Sequence, residues 1–150
     1  MNELKTLEGK IIKDIYIESY DHTIYLYYSK LEDRILIDKM CSEDTLFSFN
    51  IDALVFITDD NLKYVFKHVP DCCEKVRLKE IDGDLSDIYD QTVISIEEVE
   101  GLFGSNFTDA ESFLYTYYKI KTNKGDITFS WYGESNGYYS ERPCFYILKK

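Results

Sequence analysis

Residues 113–141 read FLYTYYKIKTNKGDITFSWYGESNGYYSE, and this stretch decides the fold. Residues 113–122 are rich in aromatic side chains, and over 126–132 apolar side chains alternate with polar ones, with Asn123, Lys124 and Gly125 between the two runs. Two-residue periodicity interrupted by a glycine-containing turn is the pattern of an antiparallel hairpin. In the second run Ile127, Phe129 and Trp131 share one side and Thr128, Ser130 and Tyr132 the other, so the sheet is expected to bury one face. Asn136-Gly137 is a favoured two-residue turn, which extends the expectation to a meander ending in CFYILKK, residues 144–150.

The same rhythm runs through the rest of the chain. KIIKDIYIESY (10–20) turns at Asp21-His22 into TIYLYYS (23–29), where Ile24, Leu26 and Tyr28 share a side, and DRILIDKM (33–40) and TLFSFN (45–50) read as further short strands. ALVFITDDNLKYVFKH (53–68) breaks at Asp59, Asp60 and Asn61, which predicts a second hairpin with Leu62, Tyr64, Phe66 and His68 on one side. Val76 and Leu78 oppose Lys75, Arg77 and Lys79, the pattern of a strand with one wet side. GDLSDIY (83–89) suits a short helical turn capped by Asp84, and TVISIEEV (92–99) is again strand-like. GLFGSNFTDAES (101–112) carries two glycines and several turn formers, and predicts a loop tethered by Leu102, Phe103 and Phe107.

These signals place residues 1–150 in one mainly β domain, α+β at most. It is expected to be an antiparallel twisted sheet or an open barrel of hairpins, with one or two short helical turns. A chain with 45% hydrophobic and 16% aromatic residues can fill such a core without disulfides, so Cys41, Cys72, Cys73 and Cys144 are expected to be reduced thiols.

Seventeen basic and twenty-eight acidic residues give a formal charge of -11. That field repels nucleic-acid phosphates, and the longest basic cluster, EKVRLKE (74–80), is bracketed by glutamates, so direct nucleic-acid binding is not expected. The same charge suits a basic protein partner, including a nucleic-acid-binding enzyme occupied by a charge mimic. The first residues, MNELKTLEGKIIKD, lack the apolar core of a secretion signal, and no run reaches the length of a membrane-spanning helix. A cytoplasmic protein with no membrane association is the expectation.

HVPDCCEKV (68–76) holds the densest set of reactive side chains. Its adjacent cysteines would point opposite ways in an extended segment, so no metal or other cofactor is expected there. A thiol-dependent enzyme would need His68 as the base for Cys72 or Cys73. Among the carboxylates Glu80, Asp82, Asp84 and Asp87, the alternation Asp82-Gly83-Asp84 resembles part of a calcium loop, but the remaining ligand spacing and the closing glutamate are missing, and a turn with a helix cap explains these residues more simply. No phosphate-binding glycine loop, zinc-protease pair or serine-hydrolase elbow occurs. Tyr132, Tyr138 and Tyr139, with Glu134, Asn136 and Glu141, offer an aromatic, hydrogen-bonding surface suited to a protein or a flat ligand.

HVPDCCEKV, EIDGDLSDI and YYKIKTNKGDITFSWYGESNGYYSE together resemble, in order and spacing, a family of small uncharacterised bacterial and phage proteins. Its motifs are His-x-x-Asp-Cys-Cys-Glu, Gly-Asp-Leu and Trp-Tyr-Gly-x-Ser-Asn-Gly-Tyr-Tyr-Ser. The resemblance spans about residues 53–148 and leaves 1–52 as a strand-rich N-terminal extension. It implies no activity. It does imply that the cysteine segment and the tyrosine hairpin belong to one module, and its phage members suggest an accessory or counter-defence role.

The expected function is that of a small, acidic, non-enzymatic binding protein. It would present Tyr132, Glu134, Asn136, Tyr138, Tyr139 and Glu141, with His68, Asp71, Cys72 and Cys73, to a protein partner. The alternatives are a binder of a nucleotide-like small molecule, or a thiol- or metal-dependent enzyme using His68, Cys72 and Cys73. In the nucleotide reading tyrosines stack on the base while Lys75, Arg77, Lys79 or Arg142 meets the phosphate.

Overall fold

The computed structural model describes residues 3–19, 22–25, 51–68, 74–104, 112–135 and 140–149. The expected strands 33–40 and 45–50 lie outside them. Among the described residues the structure is β throughout apart from two short 3-10 turns, Glu3–Leu7 and Leu85–Asp87. The second begins where Asp84 was expected to cap: its Oδ1 accepts from the Ser86 amide at 3.0 Å. No helix among the described residues is long and apolar enough to cross a membrane.

β1 (Ile12–Ser19) pairs antiparallel with β2 (His22–Tyr25), and β3 (Ala53–Thr58) with β4 (Leu62–Lys67), as the two hairpin patterns predict. Asn61, at φ 64°, supplies the left-handed turn residue between β3 and β4. β1 also pairs with β3, so the segment read as an extension enlarges this sheet beyond β3, with β2 outermost among the described strands. β9 (Cys144–Lys149) completes it beyond β4, in the order β2-β1-β3-β4-β9.

A second antiparallel sheet is formed by β5 (Lys75–Asp82), β6 (Val93–Gly104), β7 (Ser112–Thr122) and β8 (Asp126–Ser135), in the order β5-β8-β7-β6. The β7–β8 hairpin is the one expected at Asn123, Lys124 and Gly125. The meander ends there. β9 pairs with β4 in the other sheet, because β8 is already flanked by β5 and β7 and has no edge to offer.

A further correction concerns 101–104. These residues are strand, paired through Phe103 with Leu114 and Gly104 with Phe113, after a register shift between Glu100 and Phe103. The glycine that suggests a loop marks an irregularity within a strand instead. The remainder of the expected loop, 105–111, lies outside the described residues.

The sheets pack face to face. Ile15, Ile17, Leu54, Phe56, Tyr64 and Phe66 from one meet Leu78, Ile96, Tyr118, Ile120, Phe129 and Trp131 from the other in one buried cluster. Phe56 lies 5.6 Å from Phe129, and Phe66 lies 4.6 Å from Tyr118, between ring centroids. Each buried side chain of this size contributes about 2–3 kcal/mol, which makes this shared core the main source of cohesion. Bridges between Ile51 and Leu78 and between Ile11 and Thr92 tie the sheets without closing a barrel. Every residue of β3 is buried, since Val55 and Ile57 join Tyr16 and Val65 on the opposite side of that sheet. Burial on both faces explains why ALVFIT is continuously apolar.

Candidate functional site

In β7 the side chains facing the core are Leu114, Thr116, Tyr118, Ile120 and Thr122, all buried. The intervening positions put Phe113, Tyr115 and Tyr117, half-buried, on the outer face of the sheet. Tyr132 of β8 is the cross-strand partner of Tyr115 and joins them. The Tyr115 centroid lies 5.0 Å from Tyr132 and 6.3 Å from Tyr117, the latter two rings only 12° from parallel; Phe113 is 6.4 Å from Tyr132. Four aromatic rings thus form a continuous outer patch. Tyr117 occupies space left by Gly101 on β6, where a Cβ would land inside its ring.

β5 contributes the polar side of this face. Its register shifts between Leu78 and Glu80, and Lys79 reaches across to donate to the Tyr115 hydroxyl at 2.8 Å. The same ammonium sits 5.0 Å from the centre of the Tyr115 ring and 5.8 Å from that of Tyr132, within cation–π range. The Tyr132 hydroxyl donates to Glu134 Oε2 at 2.8 Å; burial, reinforced by this bond to a carboxylate, raises its pKa far above the usual tyrosine value.

Between β5 and β7 the central strand carries only Ser130 and Thr128, too short to fill the space between their long neighbours. The result is a trough of about 380 Å³. Glu80 and Asp82 line its β5 side, Tyr115 and Tyr117 its β7 side, and Lys79 and Lys119 also border it.

His68 and Glu74 form a separate, buried pair. His68 Nε2 lies 2.9 Å from Glu74 Oε2, and Nδ1 lies 3.2 Å from the Arg142 carbonyl oxygen. The carbonyl can only accept, so Nδ1 carries hydrogen and donates to it, leaving Nε2 to share a proton with the Glu74 carboxyl. Both ring nitrogens are therefore engaged. Next to Arg142, Glu141 accepts from Ser112 at 2.9 Å and from Ser135 at 2.7 Å, clamping the start of β7 to the end of β8. Its backbone passes so close to Gly133 that a Cβ there would collide with it. Arg142 itself pairs with Glu100.

Of the residues singled out in the sequence, Tyr132 and Glu134 stand on the aromatic face, Glu141 is a clamp, and His68 is packed inside. Asp71, Cys72, Cys73, Asn136, Tyr138 and Tyr139 lie outside the described residues. Among the described residues no group of three or more His, Cys, Asp or Glu is placed to hold a metal ion. Sequence reasoning missed Phe113, Tyr115, Tyr117 and Lys79 as one surface. The available signal was aromatic residues at i, i+2 and i+4 on the side of β7 opposite its core-facing residues.

A family model described as "Domain of unknown function (DUF7448)" matches residues 7–145. The chain belongs to this family. The DUF7448 match takes in both sheets, including most of the N-terminal segment and all strands of the aromatic face. No curated protein and no solved structure matches the chain.

Proposed function

We propose that this DUF7448 protein is a small, acidic, non-enzymatic binding protein that docks a protein partner on the outer face of the β5-β8-β7-β6 sheet. The observation that carries this reading is the placement of Phe113, Tyr115, Tyr117 and Tyr132 on the side of the sheet away from the shared core. Clustered aromatics bordered by charged groups are the chemistry of interface hot spots, because large rigid rings lose little entropy on binding. The formal charge of -11 favours a basic partner and accelerates its approach. Engagement of both His68 nitrogens counts against that residue serving as the base for a cysteine nucleophile. The resemblance to phage-borne proteins is consistent with an accessory or counter-defence inhibitor.

The test is affinity capture from lysate of the native host, using the wild-type chain and a Tyr115→Ala/Tyr117→Ala variant. Loss of two hot-spot rings should weaken a recovered complex by about 30-fold or more. Thermal unfolding should change by no more than about 2 kcal/mol, since each cross-strand pair contributes less than a buried core residue. Equal capture of the same partner by both proteins would sink the proposal.

A further inference from the structure

The trough on this face has two unlike walls and a polar floor. On one side are the Tyr115 and Tyr117 rings, and on the other the carboxylates of Glu80 and Asp82. Neither carboxylate has an ion-pair partner among the described residues. On the floor, Ser130 is 8% exposed, and its hydroxyl makes no hydrogen bond among the described residues. A hydroxyl that opens onto the trough and makes no bond to its own sheet is suited to a ligand that brings hydrogen-bond donors.

The face already holds cations of its own: Lys79 rests over Tyr115 and Tyr132 and bonds to the Tyr115 hydroxyl, and Arg77 is the cross-strand partner of Tyr132. That ammonium lies on the Tyr115–Tyr132 side, whereas Tyr117, Ser130, Glu80 and Asp82 lie farther along the trough.

Resting on the reading of this face as a protein-docking surface, we infer that the trough takes the guanidinium of an arginine in an extended, basic segment of the partner. The plane of a guanidinium stacks on the Tyr117 ring, while its N–H groups donate to Glu80, Asp82 and the Ser130 hydroxyl. A lysine ammonium has three donors but no plane to lie against the ring, and it lacks the fixed fork that pairs with a carboxylate through two parallel bonds. The chain's formal charge of -11 supplies the long-range complement. Lys79 and Lys119 border the trough, so its lining is close to neutral and selection falls to the two carboxylates and the ring.

The test is an NMR titration of the full, isotope-labelled chain with the peptide Gly-Arg-Gly-Arg-Gly, its lysine counterpart, and guanosine monophosphate. The arginine peptide should shift the amides of Glu80, Tyr117 and Ser130, and bind several-fold more tightly than the lysine peptide. Glu80→Gln/Asp82→Asn, at two exposed positions, should weaken it about tenfold or more without altering the fold. Shifts at the trough with the nucleotide and none with the arginine peptide would overturn the inference. So would arginine shifts scattered over the acidic surface, or unchanged affinity in the double variant. Partner capture that survives Glu80→Gln/Asp82→Asn but is lost in Tyr115→Ala/Tyr117→Ala would refute the arginine pocket and keep the docking face. Capture surviving both variants would refute the docking face as well.

Discussion

At the scale of single residues, His68 shows how one side chain supports two readings. Beside Asp71, Cys72 and Cys73 in the sequence it is a candidate base or ligand; in the fold it is 6% exposed, with Glu74 on one nitrogen and the Arg142 carbonyl on the other. This pair joins the start of β5 to the segment preceding β9, so it holds the two sheets in register at one end. Removing the carboxylate leaves Nε2 of a buried imidazole without its hydrogen-bond partner. Glu74→Ala is therefore expected to cost about 3 kcal/mol or more, read from urea unfolding followed by Trp131 fluorescence. Trp131 is fully buried and is the chain's only tryptophan, so its emission reports the core directly. A loss under about 1 kcal/mol would mean that water replaces the carboxylate without penalty. His68, directly after β4, is buried like Tyr64 and Phe66, in keeping with the alternation of that stretch. The burial of Glu74 was not legible, because a glutamate before a basic strand reads as solvated until another element covers it.

At the scale of elements, β6 and β7 decide what the outer face can do. The glycine at 101 makes room for Tyr117, and that contact keeps the aromatic patch continuous with its neighbouring strand. Gly101→Val should push the Tyr117 ring away, destabilise the protein by about 1–3 kcal/mol and weaken partner capture with it. Tyr117 side-chain NMR shifts check the first effect and capture the second; unchanged Tyr117 shifts would show that the ring does not depend on this space. Gly133→Ala is expected to destabilise by a similar amount for a different reason, since the obstruction there is the backbone of Glu141, which cannot rotate aside as a side chain can. The pairing of β9 was misread because Asn136-Gly137 has the chemistry of a local hairpin. Whether β8 had a free edge was settled by β5, more than forty residues earlier in the chain.

For the whole molecule, the tyrosines link stability to alkaline pH. Tyr118 is held above its usual pKa by burial and by its bond to Glu98, and Tyr132 by burial and Glu134. Their folded values exceed their unfolded ones, so their contribution is complete below about pH 10 and is lost above it, as phenols ionise first in the unfolded chain. Lys10 and Lys13, raised by their bonds to Asp60 and Asp90, act in the same direction. The urea midpoint should fall as the pH rises above about 10, and less steeply in Tyr132→Phe, which removes one of these ionisations. Equal slopes in the two proteins would show that Tyr132 ionises alike in both states. By itself the sequence determined the β class, the β1–β2, β3–β4 and β7–β8 hairpins, the cap at Asp84 and the acidic charge, because alternation, turn residues and charge act over a few neighbouring positions. Only the tertiary structure decided that β9 leaves the meander, that His68 closes on Glu74, and that Lys79, Tyr115, Tyr117 and Tyr132 share one face. Those outcomes depend on which strand edges remain free and on which residues lie opposite one another, and neither is a property of a local stretch of chain.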